Sequence, residues 1–340
     1  MAQSNEVILD VRGLKACYYT IRGVVKAVDG ISFDLRQGET LCIVGESGCG
    51  KTASGLSILR LIEGLRGKVV GGQIQYHGED ILKMTQERLR QLRGNKIAMI
   101  FQDPQSSLNP VLRVGEQIAE PMRLHLGLDK NAARARALDL MRQVGIPFPE
   151  RRIDEYPHQF SGGMKQRVMI AMALSCEPDI LIADEPTTAL DVTTKAQIMD
   201  IFRQLKRNKR MSIIFITHDM GIVADMADKM VVMYGGRLAE AGSVLDVFDT
   251  PQHPYTQGLL KCLPDVLVGQ GRLEPIPGTI PSLIDPPENC NFSPRCPYVM
   301  KICREERPTE YLTATGHRVA CFLYKQFPVY GQPEKEAAKA

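Results

Sequence analysis

Gly45-Glu46-Ser47-Gly48-Cys49-Gly50-Lys51-Thr52 spells a complete G-x-x-x-x-G-K-[ST] phosphate loop. The apolar run Thr40-Leu41-Cys42-Ile43-Val44 precedes it, and the helix-compatible stretch Ser54 to Leu61 follows it. Strand, loop and helix in that order give the motif a mechanism. Gly45, Gly48 and Gly50 let the main chain turn sharply and approach a phosphate without a Cβ clash. The exposed N–H groups and the helix N-terminus attract negative charge. Lys51 can reach the β- and γ-phosphates, and Thr52 can offer its hydroxyl to Mg²⁺. The segment from Gly45 to Ala53 is therefore the expected contact region for a nucleoside triphosphate.

Further apolar runs lie on either side. Val7 to Val11 and Ile31 to Leu35 read as short strands, the second by alternation of Ile31, Phe33 and Leu35. Ile97 to Phe101, Ile180 to Ala183 and Ile213 to Ile216 are continuous and apolar, as buried strands are. Val231 to Tyr234, Gly235-Gly236 and Arg237 to Glu240 read as a hairpin. Ile198, Ile201, Phe202 and Leu205 recur at helical spacing, and Ala132 to Val144 and Met164 to Leu174 are further helices. Buried strands alternating with helices predict an α/β fold with a mainly parallel core sheet and an antiparallel β part. The segment from about Asp103 to Leu174 reads as an α-helical insertion. Prolines crowd the chain from Pro251 onward, so residues 251–340 are expected to form a small irregular appendage whose charged tail, Glu334 to Ala340, frays.

Other polar groups fall where phosphate chemistry needs them. The strand Ile180 to Ala183 ends in Asp184-Glu185. Asp184 is placed to hold Mg²⁺ through water, and Glu185 to polarise an attacking water. Ser161-Gly162-Gly163 opens the helix running to Leu174, with Ser161 as N-cap and uncovered N–H groups as a second anion site. The stretch Ser161-Gly162-Gly163-Met164-Lys165-Gln166 resembles the signature sequence of ABC ATPases. Gln102, after the strand ending at Phe101, resembles the Q-loop glutamine. Ala189-Leu190-Asp191 resembles the D-loop, and His218, after Thr217, the switch histidine. Tyr18 stands where that family places an aromatic that stacks on adenine, with Tyr19 as the alternative. Phe160 and Met164 replace the commoner Leu and Gln, but Ser161, Gly162 and Gly163 carry the anion-binding part.

The resemblance, over roughly residues 6 to 250, implies a P-loop NTPase of ABC type that uses ATP and Mg²⁺. Residues 1–250 would be the nucleotide-binding domain, with a helical subdomain at about 103–178. Two such subunits would pack head to tail around two ATP molecules, so that ATP closes the pair and hydrolysis weakens it. Glu185, His218 and Gln102 are the implied catalytic residues, with Thr52, Gln102 and Asp184 at Mg²⁺. His218 would hold the γ-phosphate and attacking water. Gln102 would sense Mg²⁺ and transmit the state to a membrane partner.

The C-terminal part extends the resemblance. His253-Pro254-Tyr255-Thr256 and Asn289-Cys290-Asn291-Phe292-Ser293-Pro294-Arg295-Cys296-Pro297 resemble the extension of ABC ATPases that serve dipeptide and oligopeptide importers. The implied partners are a second ATPase subunit, commonly a related chain, two transmembrane permease subunits, and an extracytoplasmic solute-binding protein. The implied place is the cytoplasmic face of a membrane. Some relatives carry nickel or other small solutes.

Nine cysteines are many, and Cys290, Cys296, Cys303 and Cys321 crowd into the appendage with five, six and seventeen residues between them. Disulfides, free core cysteines, zinc and an iron–sulfur cluster are the alternatives. Zinc sites favour close C-x-x-C pairs, absent here, although His317 offers a substitute ligand. Some members of the importer family hold a four-iron cluster here, so the resemblance favours a [4Fe-4S] cluster and a metal-binding appendage. Cys49, beside Lys51 and a helix N-terminus, is expected to favour its thiolate.

Composition narrows the function further. Lys and Arg total 42 against 39 Asp and Glu, a net charge of +3, which gives no support for nucleic-acid binding. No apolar run approaches bilayer length, and Met1 to Glu6 lacks the marks of a signal peptide. A soluble ABC ATPase of translation or repair would more often show two cassettes or a coiled coil; this sequence has one phosphate loop and no heptad run. A redox- or metal-sensing protein that merely binds ATP has no use for a carboxylate at Glu185.

Overall fold

The computed structural model describes residues 6–188, 190–207, 211–262 and 275–331. The amino-terminal residues up to Asn5 and the tail 334–340 lie outside them. Contacts divide the chain into two compact units.

The first unit holds Leu35–Thr40 and His77–Ile216, with the chain up to Ile8. Strands Ile97–Ile100, Ile180–Asp184 and Ser212–Thr217 run parallel, with Ile97 opposite Ile180 and Ile180 opposite Ser212. The last two are buried along their whole length, which is why they read as unbroken apolar runs. Helix Val192–Arg207 buries Ile198, Ile201, Phe202 and Leu205, the face its periodicity predicts. Phe202 meets Phe215 edge-on at 4.7 Å between centroids. Between Asp103 and Leu174 the described residues form helices and turns but no strand. The helices Val114–Leu126, Lys130–Gln143 and Gly162–Leu174 pack on one another there.

The second unit holds Leu9–Asp34, Leu41–Tyr76 and the chain from Thr217. Strand Thr40–Val44 runs parallel to Lys229–Tyr234, with Leu41 opposite Lys229 and Val44 opposite Val232. Lys229–Tyr234 turns at Gly235-Gly236 into the antiparallel strand Arg237–Ser243, the hairpin expected from sequence. Arg318–Val319 and then Tyr311–Leu312 continue that sheet antiparallel. A second sheet sets Val7–Thr20 between Gly23–Arg36 and Gly67–Tyr76.

The Pro-rich extension is more ordered than its composition suggests. Pro254 opens helix Pro254–Lys261 at its first position, where a missing N–H costs nothing, and His253 caps it through Nδ1. Lys26 N–H donates to Leu283 O at 2.9 Å and Asp285 N–H to Val24 O at 3.2 Å, so the extension pairs with the edge of strand Gly23–Arg36. Glu240 on strand Arg237–Ser243 is fully buried. It accepts from the N–H groups of Gln252 at 2.8 Å and His253 at 2.9 Å, and from His317 Nδ1 at 3.0 Å. Among the described residues no helix is long and apolar enough to cross a membrane.

Candidate active site

Thr40–Val44 delivers the phosphate loop, and helix Lys51–Ile58 leaves it. Gly45 and Gly50 have φ of +150° and +101°; a Cβ would lie 2.2 Å from Met233 O at the first and 2.0 Å from Ala27 O at the second. Only glycine fits either position, and the loop is thereby pressed onto its own unit. Lys51 is almost wholly buried, and its Nζ donates to Gly45 O at 2.8 Å and Glu46 O at 3.0 Å. Ser47, Gly48 and Thr52 face solvent. A ring of main-chain groups around a lysine, with an exposed hydroxyl beside it, suits a triphosphate and its Mg²⁺.

Cys49 departs from expectation. Its side chain is buried, and burial pushes the thiol up despite Lys51 nearby. Loss of solvation outweighs the loop's positive field, so the neutral thiol is the resting form. Ala53 is buried at the helix start.

Glu46 is engaged at every polar group. Its N–H donates to Tyr255 Oη at 2.9 Å, its carbonyl accepts from Lys51, and its carboxylate takes both arms of Arg295, at 2.7 and 3.0 Å. Tyr255 and Arg295 come from the extension, and sequence reading gave neither a role. Their only signal was placement, an Arg and a Tyr inside otherwise irregular Pro-rich motifs.

In the first unit, Gln102 and Glu185 are brought together: Gln102 Nε2 donates to Glu185 Oε2 at 3.1 Å, and Thr188 Oγ1 donates to the same oxygen at 2.9 Å. Glu185 holds φ of +44°, and its N–H donates to Ile216 O at 2.8 Å. A non-glycine residue in that region is strained, and such strain concentrates at functional positions. Asp184 is buried at the strand end. Ser161 caps helix Gly162–Leu174 and accepts from Met164 N–H at 3.4 Å. A Cβ on Gly163 would lie 2.4 Å from Thr194 Cγ2. Asp191 accepts from the N–H and the hydroxyl of Thr194, at 2.9 and 2.7 Å, which holds its carboxyl below the usual range. The signature turn and Asp191 therefore share Thr194 as a neighbour, a link the sequence did not reveal. Ala189 lies outside the described residues.

His218 is exposed between Thr217 and the helix Met220–Met226, which Asp219 caps by accepting from Gly221 and Ile222 N–H. Tyr18 is half-buried near Gly67, whereas Tyr19 is half-exposed.

Sequence comparison places this geometry. The ABC transporter profile matches residues 28–188, and that of the oligopeptide/dipeptide transporter C-terminal region matches residues 239–303. The dipeptide transport ATP-binding protein DppD of Bacillus subtilis is 48% identical over 94% of this chain and 96% of its own. The chain belongs to the ABC transporter ATP-binding family. The DppD protein of Escherichia coli is 48% identical to this ABC ATPase over 87% of this chain and 90% of its own. A dimeric ATP-binding cassette in a post-hydrolysis state, bound to ADP and Pi, superposes with a TM-score of 0.61 at 26% identity. It covers 69% of this chain and 98% of that one. The cbiO1 protein of Clostridium perfringens, part of the ABC transporter complex cbiONQ, has a TM-score of 0.59 at 29% identity, covering 72% and 92%. ATP and Mg²⁺ are the cofactors expected of an ABC ATPase.

The extension of this ABC ATPase corrects one expectation. Among the described residues no group of three or more His, Cys, Asp or Glu is arranged to hold a metal ion. The iron–sulfur cluster and the metal-binding appendage are thus not supported. Cys290, Cys296, Cys303 and Cys321 do converge, but on a space of about 10 Å³ shared with Phe292 and Phe322. That is room for about one water. Burial pushes the Cys290 and Cys296 thiols up, and that of Cys321 up to about 12. Cys303 is buried, and Cys290, Cys296 and Cys321 are part-buried. His317, the substitute zinc ligand, does not line that space; its Nδ1 pairs with Glu240 at 3.0 Å.

Proposed function

We propose that this chain is the ATP-binding and hydrolysing subunit that powers import of di- or oligopeptides through a membrane ABC transporter. One observation carries the reading: near full-length similarity, extension included, to proteins named for dipeptide transport. In this reading residues 1–250 form the ATPase domain, with a helical subdomain at about 103–178, and residues 251–340 the extension; the ABC transporter profile matches within the first part, and the C-terminal-region profile begins at residue 239, somewhat before the second. The partners are a second ATPase cassette, two permease subunits and an extracytoplasmic solute-binding protein. The chain sits at the cytoplasmic face of the membrane, held there by the permeases.

Each site residue has a chemical task in this proposal. The segment Gly45 to Ala53 cradles the phosphates through main-chain N–H groups, and Lys51 adds a fixed positive charge. Thr52, Gln102 and Asp184 hold Mg²⁺, which when bound neutralises phosphate charge. Glu185 takes a proton from the attacking water, with Gln102 and Thr188 orienting its carboxylate. His218 positions water and phosphate. Ser161, Gly162, Gly163 and Asp191 serve the partner cassette's nucleotide, and Tyr18 stacks on adenine.

Uptake tests the reading. Cells lacking the gene should lose accumulation of a labelled dipeptide and regain it with the wild-type chain. Unchanged peptide uptake, with loss of another solute, would reject peptides as the cargo. Co-purification of the intact complex should recover two permeases and a second cassette.

A further inference from the structure

Arg295 lies 249 residues from Glu46 in sequence, yet its side chain is only 4% exposed and its fork closes on the Glu46 carboxylate at 2.7 and 3.0 Å. The guanidinium is itself held in place. Nε donates to Pro277 O at 2.9 Å, Nη2 to Ile276 O at 3.1 Å, and Nη1 to Tyr234 Oη at 3.2 Å. Tyr234 packs at 4.6 Å from Tyr255 and 5.1 Å from Phe292, ring to ring. The fork is therefore fixed before any nucleotide arrives, and bidentate geometry adds direction to charge.

We propose that Arg295, supplied by the C-terminal extension, is a positioning residue of the nucleotide site that acts on the phosphate loop through Glu46. Two consequences follow from the contacts. The Glu46 carbonyl is one of the two that hold Lys51 Nζ, so fixing Glu46 at its carboxylate, while Tyr255 fixes its N–H, sets where the lysine ammonium sits. Glu46 is also the sole carboxylate in the loop sequence. Left unpaired it would repel an incoming triphosphate; clamped by Arg295 it is neutralised. The extension thereby becomes part of the ATP site without touching ATP. This role rests on the proposal that residues 45–52 bind ATP, and the wild-type protein reads that proposal separately.

The test is equilibrium titration of the full-length chain with a fluorescent ATP analogue and Mg²⁺, with melting temperatures recorded alongside. Arg295→Gln should weaken binding by about tenfold, the scale of one lost charge-assisted contact. Adding Glu46→Gln to Arg295→Gln should recover most of that loss, because the repelling carboxylate is gone. A part that merely holds the fold together would instead leave the double variant as weak as the single one. Should Arg295→Gln fail to fold, Glu46→Asp carries the test: it keeps the charge, withdraws it from the fork, and should weaken binding by roughly fivefold. Wild-type affinity in Arg295→Gln or in Glu46→Asp, or no recovery in the double variant, overturns the proposal. Failure of the wild-type chain to bind the analogue overturns the ATP site itself.

Discussion

The Gln102 side-chain amide and the Glu185 carboxylate are hydrogen-bonded at 3.1 Å. With Thr188 on the same oxygen at 2.9 Å, the carboxylate is oriented by two donors from different segments of its unit. Orientation before reaction is what a general base requires, since the reacting geometry then costs little to reach.

Glu185→Gln should reduce phosphate release by roughly 10²- to 10⁴-fold, the usual worth of a general base. ATP binding should persist, because the amide leaves the phosphate loop intact. Single-turnover hydrolysis and nucleotide titration on the same preparation separate the two effects. Hydrolysis at the wild-type rate would remove Glu185 from the mechanism.

Lys51→Ala should act on binding. It deletes the charge held by Gly45 O and Glu46 O and should raise the ATP dissociation constant by roughly tenfold or more. Lys51→Arg should not rescue it, since the buried site is shaped for a compact ammonium. Full rescue by arginine would show that charge alone suffices.

Cys49 should react slowly with iodoacetamide in the native protein and at an ordinary thiol rate after unfolding. Burial and a raised pKa both lower its thiolate fraction at neutral pH. Mass mapping of labelled peptides over time reads the difference. Rapid native labelling at Cys49 would restore the activated-thiolate reading.

Stability should fall with acid through His253. Burial pushes its imidazole down to about 4 from 6.5. The unfolded chain binds that proton first, so its contribution to stability is intact above about pH 6.5 and is lost progressively toward pH 4. By pH 5 the loss should be about 2 kcal/mol. Asn can still cap the helix, so the urea midpoint of His253→Asn should fall less between pH 7 and pH 5 than that of the wild type. Equal slopes would place the acid sensitivity elsewhere.

What the sequence reveals follows the range of each interaction. Strands such as Ile180–Asp184 are legible because burial on both faces leaves an uninterrupted apolar run. Val7–Thr20 and Gly23–Arg36 extend well beyond the short runs Val7 to Val11 and Ile31 to Leu35, because one face is partly open and polar residues break the signal. The register also shifts between Arg12 and Lys15. Site residues belonging to contiguous motifs, such as Lys51 and Glu185, could be named; the Arg295 fork could not, since no local pattern announces a partner 249 positions away. The cysteines show a different limit. Their clustering was readable, but spacing carries no information about whether packing leaves room for an ion, and here Phe292 and Phe322 share the space.

The burial of Glu240 beneath three donors bears on protein engineering. Two of those donors, the N–H groups of Gln252 and His253, begin the extension, and the third, His317, comes near its end. Cutting the chain at Thr250 to isolate a minimal cassette would strip all three donors from the Glu240 carboxylate, together with strand Arg318–Val319 that pairs beside it. The extension is an appendix in the order of residues but not in the packing around Glu240. A trimmed cassette would therefore need a neutral residue at position 240 as well as a new end to the chain.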